Sequence, residues 1–140
     1  MIRGLDHVQL AMPAGGEEKA RAFYGGLLGL QELEKPRGLR AKGGVWFALA
    51  DGRSLHLGVE ENFQPAKKAH PAFLVKGLDQ LAAVIERANF AVIWDQSIPD
   101  VQRFHSYDCF GNRLEFQEPG ISRLTLSKVN PTSGSRRAPG

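Results

Sequence analysis

Residues 5–11, Leu5-Asp6-His7-Val8-Gln9-Leu10-Ala11, decide the fold, because the pattern they open starts again at His70-Pro71-Ala72-Phe73-Leu74-Val75. The first stretch reads as a strand. Alternation puts Val8 and Leu10 on one side and His7, Gln9 and Ala11 on the other. After a loop at 13–16, a helix is predicted over about 17–28, since Ala20, Phe23, Tyr24, Leu27 and Leu28 form one apolar stripe. Gly29 fits the left-handed residue that closes a helix. Strand-like runs follow at 31–35, 44–50 and 53–59, divided by Gly38, Gly43 and the hairpin pair Asp51-Gly52. Residues 60–69 are a polar connector. The order then repeats: a strand from His70 to Val75, a helix at about 78–89 with Leu78, Leu81, Ala82 and Ile85 on one face, and strands at 91–94, 101–107 and 113–118. Asn89 takes the place of Gly29, and Gly111-Asn112 makes the last turn. Two copies of strand–helix–three strands, 5–59 and 70–118, predict an α+β fold of two four-stranded sheets, each with a helix on one face and the other face free.

Composition sets the outer bounds. The chain has 140 residues, 42% apolar and 24% charged, which suits one globular domain over 1–119 with its own core. No apolar run is long enough for a membrane span, and the N-terminus does not read as a signal peptide. Cys109 is the single cysteine, so no intrachain disulfide forms and a reducing, cytoplasmic setting is expected. The net charge of +3 arises in residues 120–140, where Arg123, Lys128, Arg136 and Arg137 stand without an acid; the first 119 residues sum to −1. A basic tail expected to be flexible does not argue for nucleic acid.

The polar residues test the repeat. The first copy opens with His7 and ends with His56 in its last strand; the second opens with His70 and ends with Glu115, at separations of 49 and 45 residues. His56 lies between Leu55 and Leu57, and Glu115 between Leu114 and Phe116, so the polar side chains point away from the helix. A carboxylate placed there is costly to bury without a cation, and all four residue types ligate metals. The fourth histidine, His105, falls in strand 101–107 with Arg103 on its own side. Arg103 reads either as an anchor for a substrate carboxylate or phosphate or as a strand arginine paired with Asp100 or Asp108. Trp46 and Trp94 read as lining of the free faces or as interface, and Cys109 as a bystander at a hairpin tip.

Four motifs resemble one family. Leu5-Asp6-His7-Val8-Gln9-Leu10 resembles the opening strand of vicinal-oxygen-chelate proteins. Ala22-Phe23-Tyr24 with Leu27-Leu28-Gly29-Leu30 is similar to their first helix, and His70-Pro71-Ala72-Phe73 to the start of their second module. Tyr107-Asp108-Cys109-Phe110-Gly111-Asn112-Arg113-Leu114-Glu115-Phe116 is similar to their closing hairpin, with Cys109 where the family carries proline. The resemblance covers about 5–118. It implies two tandem βαβββ modules forming a cup-shaped mixed sheet around a divalent metal (Zn, Ni, Co, Mn or Fe) held by His7, His56, His70 and Glu115. It also implies a small-molecule substrate and a homodimer, and Glu115, His105 and Arg103 are the candidate catalytic residues.

Within that family a glyoxalase-like lyase or isomerase would chelate two neighbouring substrate oxygens and move a proton between carbons. His56 departs from the carboxylate that glyoxalase I carries at the end of the first module. An Fe(II) extradiol-type dioxygenase would use His7, His70 and Glu115 as a two-histidine, one-carboxylate triad. A thiol transferase of the fosfomycin-resistance type lacks its potassium loop in Ser97-Ile98-Pro99-Asp100-Val101-Gln102. A non-enzymatic, bleomycin-type antibiotic-binding protein would not need the ligand set.

Overall fold

The computed structural model of the chain describes residues 1–119, so the expectation for the tail at 120–140 lies outside the described residues. The first module consists of β1 (His7–Met12), α1 (Glu17–Ala20) running on into a π-helical segment (Arg21–Leu27), β2 (Gln31–Leu33), β3 (Val45–Ala48) and β4 (Ser54–Val59). The second consists of β5 (Ala72–Leu74), α2 (Leu78–Arg87), β6 (Ile93–Trp94), β7 (Val101–Tyr107) and β8 (Arg113–Pro119). Each module forms a four-stranded mixed sheet, in the orders β1-β4-β3-β2 and β5-β8-β7-β6. The α+β, two-module reading is therefore the observed architecture.

In both sheets the first and last strands of the module pair in parallel and the others antiparallel. This topology explains the near-equal separations of the polar residues. It sets Gln9 opposite His56 and Ala72 opposite Glu115, so a side chain near the start of a module meets one near its end. His70 stands two residues before β5 and not within it. The ladder nonetheless continues past Ala72, because the Glu115 amide donates to the Pro71 carbonyl at 3.0 Å.

Val45, Phe47, Leu55, Leu57, Phe104, Leu114 and Phe116 fill the sheet faces of the core, with Ala20, Phe23 and Tyr24 from the first helix and Leu78, Ala82 and Ile85 from α2. The first helix departs from the expected straight α-helix. After one α turn it widens, and the Leu28 amide donates to the Phe23 carbonyl five residues back. Gly25 and Gly26, weak helix formers, sit in the widened part, and Leu27 and Leu28 are only partly buried. Gly29 at φ 74° and Asn89 at φ 65° close the two helices as expected. The 3-10 segment Arg37–Lys42 was not signalled by apolar periodicity.

One buried polar hub joins the modules. The Tyr24 hydroxyl donates to Asp108 Oδ2 at 2.5 Å, and Asp108 also accepts from the amides of Phe110 and Asn112 and from Asn112 Nδ2. Asn112 Nδ2 in turn donates to the Ala11 carbonyl of β1. The ring of Phe23 meets that of Phe90 edge-on at 4.9 Å, packing the first helix against the end of the second.

Candidate metal centre

The face of the second sheet opposite α2 carries Arg113, Glu115 and Gln117 on β8 and Arg103, His105 and Tyr107 on β7, because residues two apart in a strand share a face. Among the described residues, the group of three with metal-ligating atoms within 4.8 Å of one another is His70, His105 and Glu115. Glu115 is 4% exposed. Its Oε1 accepts from Arg103 Nη1 at 2.9 Å and its Oε2 from Gln117 Nε2 at 3.0 Å.

Hydrogen-bond partners fix what each histidine offers. His70 Nδ1 lies 2.8 Å from the Lys68 carbonyl. A carbonyl only accepts, so Nδ1 carries the proton and Nε2 keeps its lone pair. That lone pair stands 3.4 Å from Glu115 Oε1. Two acceptors facing each other at that distance repel unless a cation, either a proton or a metal ion, stands between them. His105 Nδ1 is 3.4 Å from Arg113 Nη2. Arginine has no acceptor, so His105 accepts there and its proton sits on Nε2, 3.3 Å from Asp95 Oδ2 and 3.7 Å from Glu115 Oε1. For His105 to ligate through Nε2, its Nδ1–H would have to face an arginine N–H. The donor set therefore fits a metal on His70 and Glu115, with His105 as a hydrogen-bonding neighbour.

Arg103 reaches neither Asp100 nor Asp108. Its Nη2 donates to Asp95 Oδ2 at 2.8 Å and to Ser97 Oγ at 2.9 Å, so it links Asp95 to Glu115. The hydroxyl and amide of Ser97 foremost, with His105 and Arg103 adding, hold the Asp95 carboxyl at about 2. A groove of about 700 Å³ lined by Trp94, Ile98 and Val101 borders Asp95 and Arg103, but neither His70 nor Glu115 lines it. Trp94 is half exposed and sets its edge against Phe104.

His7 and His56 lie on the first sheet and are not part of that group of three. His56 is sandwiched between Trp46, with ring centroids 3.9 Å apart and planes 3° apart, and His7, at 4.3 Å and 16°. Its Nε2 is 2.9 Å from Ser54 Oγ. Burial foremost, with the neighbouring His7 adding, lowers the His56 pKa, so its ring stays neutral and stacks. His7 Nδ1 meets Asp6 Oδ2 at 2.9 Å, which leaves Nε2 free, as in His70. Its side chain is 45% exposed, so the stack on His56 fixes its ring more firmly than the solvated Asp6 does.

Alternation around Glu115 could have found Arg113 and Gln117, and adjacency could have found Asp6. Asp95 and Ser97 lie in a loop whose path the sequence does not reveal. Cys109 is buried by half, and burial foremost, with Asp108 adding, pushes its thiol up to about 12, against reactivity.

Paired βαβββ modules, with a histidine before the first strand and a glutamate in the last strand of one sheet, define a class of small proteins whose free sheet face carries a candidate metal site. No family model and no curated protein matches the chain. Among solved structures, it is similar to a glyoxalase family protein from Bacillus anthracis, 49% identical over 85% of this chain and 97% of that one, with a TM-score of 0.82. It is also similar to a glyoxalase/dioxygenase from Nostoc punctiforme, 25% identical over 84% and 91%, TM-score 0.69. A variant of the fosfomycin resistance protein FosX from Listeria monocytogenes, complexed with Mn(II) and 1S,2S-dihydroxypropylphosphonic acid, shares the fold at 19% identity over 89% and 99%, TM-score 0.70. The chain belongs to the vicinal-oxygen-chelate superfamily, among the glyoxalase family proteins. Among the described residues, no helix is long and apolar enough to cross a membrane.

Proposed function

We propose that the chain is a divalent-metal-dependent enzyme of the glyoxalase-like lyase or isomerase type, acting on a small substrate held through two neighbouring oxygens. The observation that carries this reading is the His70 Nε2 lone pair facing Glu115 Oε1 at 3.4 Å, a gap that calls for a cation. His7 is the third ligand, because its Nε2 is the other imidazole nitrogen left free by a bonded Nδ1. It stands on the other sheet and outside the His70, His105 and Glu115 group of its own chain, and in this reading the protein is a homodimer in which the partner's His7 completes each site. His56 orients His7 by stacking, which reduces the four-residue ligand set to three. The 49% identity to a glyoxalase family protein and the Mn(II) held by the FosX fold support a metal of the Mn, Fe, Co, Ni or Zn series.

A divalent ion bound there supplies Lewis-acid charge for two substrate oxygens. The chain supplies the rest. Arg103 and Gln117 hold the two oxygens of Glu115, and Asp95 and Arg113 hold His105 by its Nε2 and its Nδ1. His105 is the acid–base group that this geometry offers. The cytoplasm, where the lone Cys109 stays reduced, is the proposed setting for this chemistry.

A two-histidine, one-carboxylate set also suits Fe(II) oxygen chemistry, the second reading. Metal-loaded protein is incubated with hemithioacetals and with catechols, with oxygen uptake recorded. Consumption of a hemithioacetal without oxygen uptake supports the lyase or isomerase; oxygen uptake with a catechol replaces it with the dioxygenase.

A further inference from the structure

The two arginines of the site face differ in one respect. Arg103 is balanced twice, by Asp95 and by Glu115. Arg113 forms no ion pair among the described residues. Its Nη2 donates to His105 Nδ1 at 3.4 Å, and its Nε–H, like that of Arg103, is buried with no partner, so the missing counter-charge alone sets it apart. Guanidinium carries five donors and stays charged, so a partly buried one with a single long hydrogen bond to an imidazole lacks a counter-charge. Residues 120–140 contain no Asp or Glu side chain to provide one. Arg113 is two residues before Glu115 on β8 and opposite Tyr107 on β7, so it shares the face of the candidate ligands. Glu115 lies on the Nε2 side of His105 and Arg113 on its Nδ1 side.

We propose that Arg113 is the anion-binding residue of the site and that the substrate is a small oxyacid. Its carboxylate or phosphonate sits on the Arg113 guanidinium while its neighbouring oxygens face His70 and Glu115. The proposal rests on the metal-centre reading above and deepens it by naming the substrate class. Arg113 supplies the fork that donates two parallel hydrogen bonds to an oxyanion, and Ala72, the small residue opposite Glu115 on β5, leaves room beside the carboxylate. His105 ties the anion site to the proton-holding site, because its two nitrogens contact Arg113 and Asp95.

Calorimetric titration of the Mn(II)-loaded protein with methylphosphonate and, separately, with L-lactate tests this, with metal content measured on every sample. The wild type binds at least one probe. Arg113→Gln weakens that binding roughly 10–100-fold at unchanged metal content, and Arg113→Lys, which keeps the charge and loses the fork, falls between the two. Preference for one probe assigns the anion as phosphonate or carboxylate. A wild type that holds metal and binds neither probe overturns the inference. So does an Arg113→Lys protein that holds metal and binds as the wild type does, or an Arg113→Gln protein that loses metal along with the anion. A wild type that holds no metal defeats the metal-centre reading instead.

Discussion

Replacing Tyr24 by Phe removes one hydroxyl and leaves the ring, which packs against Phe23 at 4.9 Å and Phe47 at 5.7 Å between centroids. The lost group donates to Asp108 at 2.5 Å in a fully buried setting, with Tyr24 at 0% and Asp108 at 4% exposure. Burial foremost, with Asp108 adding, holds the Tyr24 pKa well above the ordinary phenol value, so the tyrosine is the donor and the carboxylate the acceptor. A hydrogen bond to a charged group is worth about 1.5–3 kcal/mol net, and Asp108 keeps three other donors, which favours the lower half of that range. For a domain of this size each kcal/mol moves Tm by roughly 3–5 °C, so Tyr24→Phe is expected to melt roughly 5–10 °C lower. Differential scanning calorimetry with Asp108→Asn and the double variant gives the coupling directly. A Tm within about 1 °C of the wild type, or fully additive single variants, would refute the hub as a link between the modules.

Three further outcomes are expected. Arg103→Gln, which unlinks Asp95 from Glu115, weakens metal affinity roughly 10–100-fold in competition titrations while the fold persists; unchanged affinity would show that Gln117 alone orients the carboxylate. In a dimer with shared sites, mixing the metal-free variants His7→Ala and His70→Ala restores about a quarter of the wild-type metal per chain, the value for random pairing with one intact site per heterodimer, and no recovery after subunit exchange counts against sharing. Native Cys109, its thiol pushed up from 9.0 to about 12, reacts with iodoacetamide at pH 8 roughly 100-fold or more slower than in the unfolded chain, with the rate still rising beyond pH 10; equal rates would show the thiol to be free of its burial.

Strand alternation and the repeat made the fold legible, because each module encodes a period-two or helical pattern within a short window. The closing glycine and asparagine, Gly29 and Asn89, were legible for the same local reason. The widening of the first helix was less so, since a π turn keeps the apolar stripe of Ala20, Phe23 and Tyr24 and shifts only Leu27 and Leu28. At the site, ligand chemistry and strand parity singled out His7, His56, His70, His105, Arg103 and Glu115. Their division between two sheets was set by tertiary pairing that no local pattern carries. The identity of the Arg103 partners, Asp95 and not Asp100 or Asp108, depended on a loop conformation. The contrast between Arg103, paired with two carboxylates, and Arg113, paired with none among the described residues, appears only once the ion pairs are in place.

The measurement that bears most directly on the metal centre is metal stoichiometry by elemental analysis of His7→Ala, His70→Ala, Glu115→Ala and His105→Gln after equilibration with Mn(II) or Zn(II) and removal of the excess. His7, His70 and Glu115 as ligands, with His105 as the hydrogen-bonded neighbour, predict near-complete loss of metal in the first three and about one equivalent per chain retained in His105→Gln. Retention of metal by His7→Ala together with its loss from His105→Gln would place the ligands within one sheet of one chain and contradict the account.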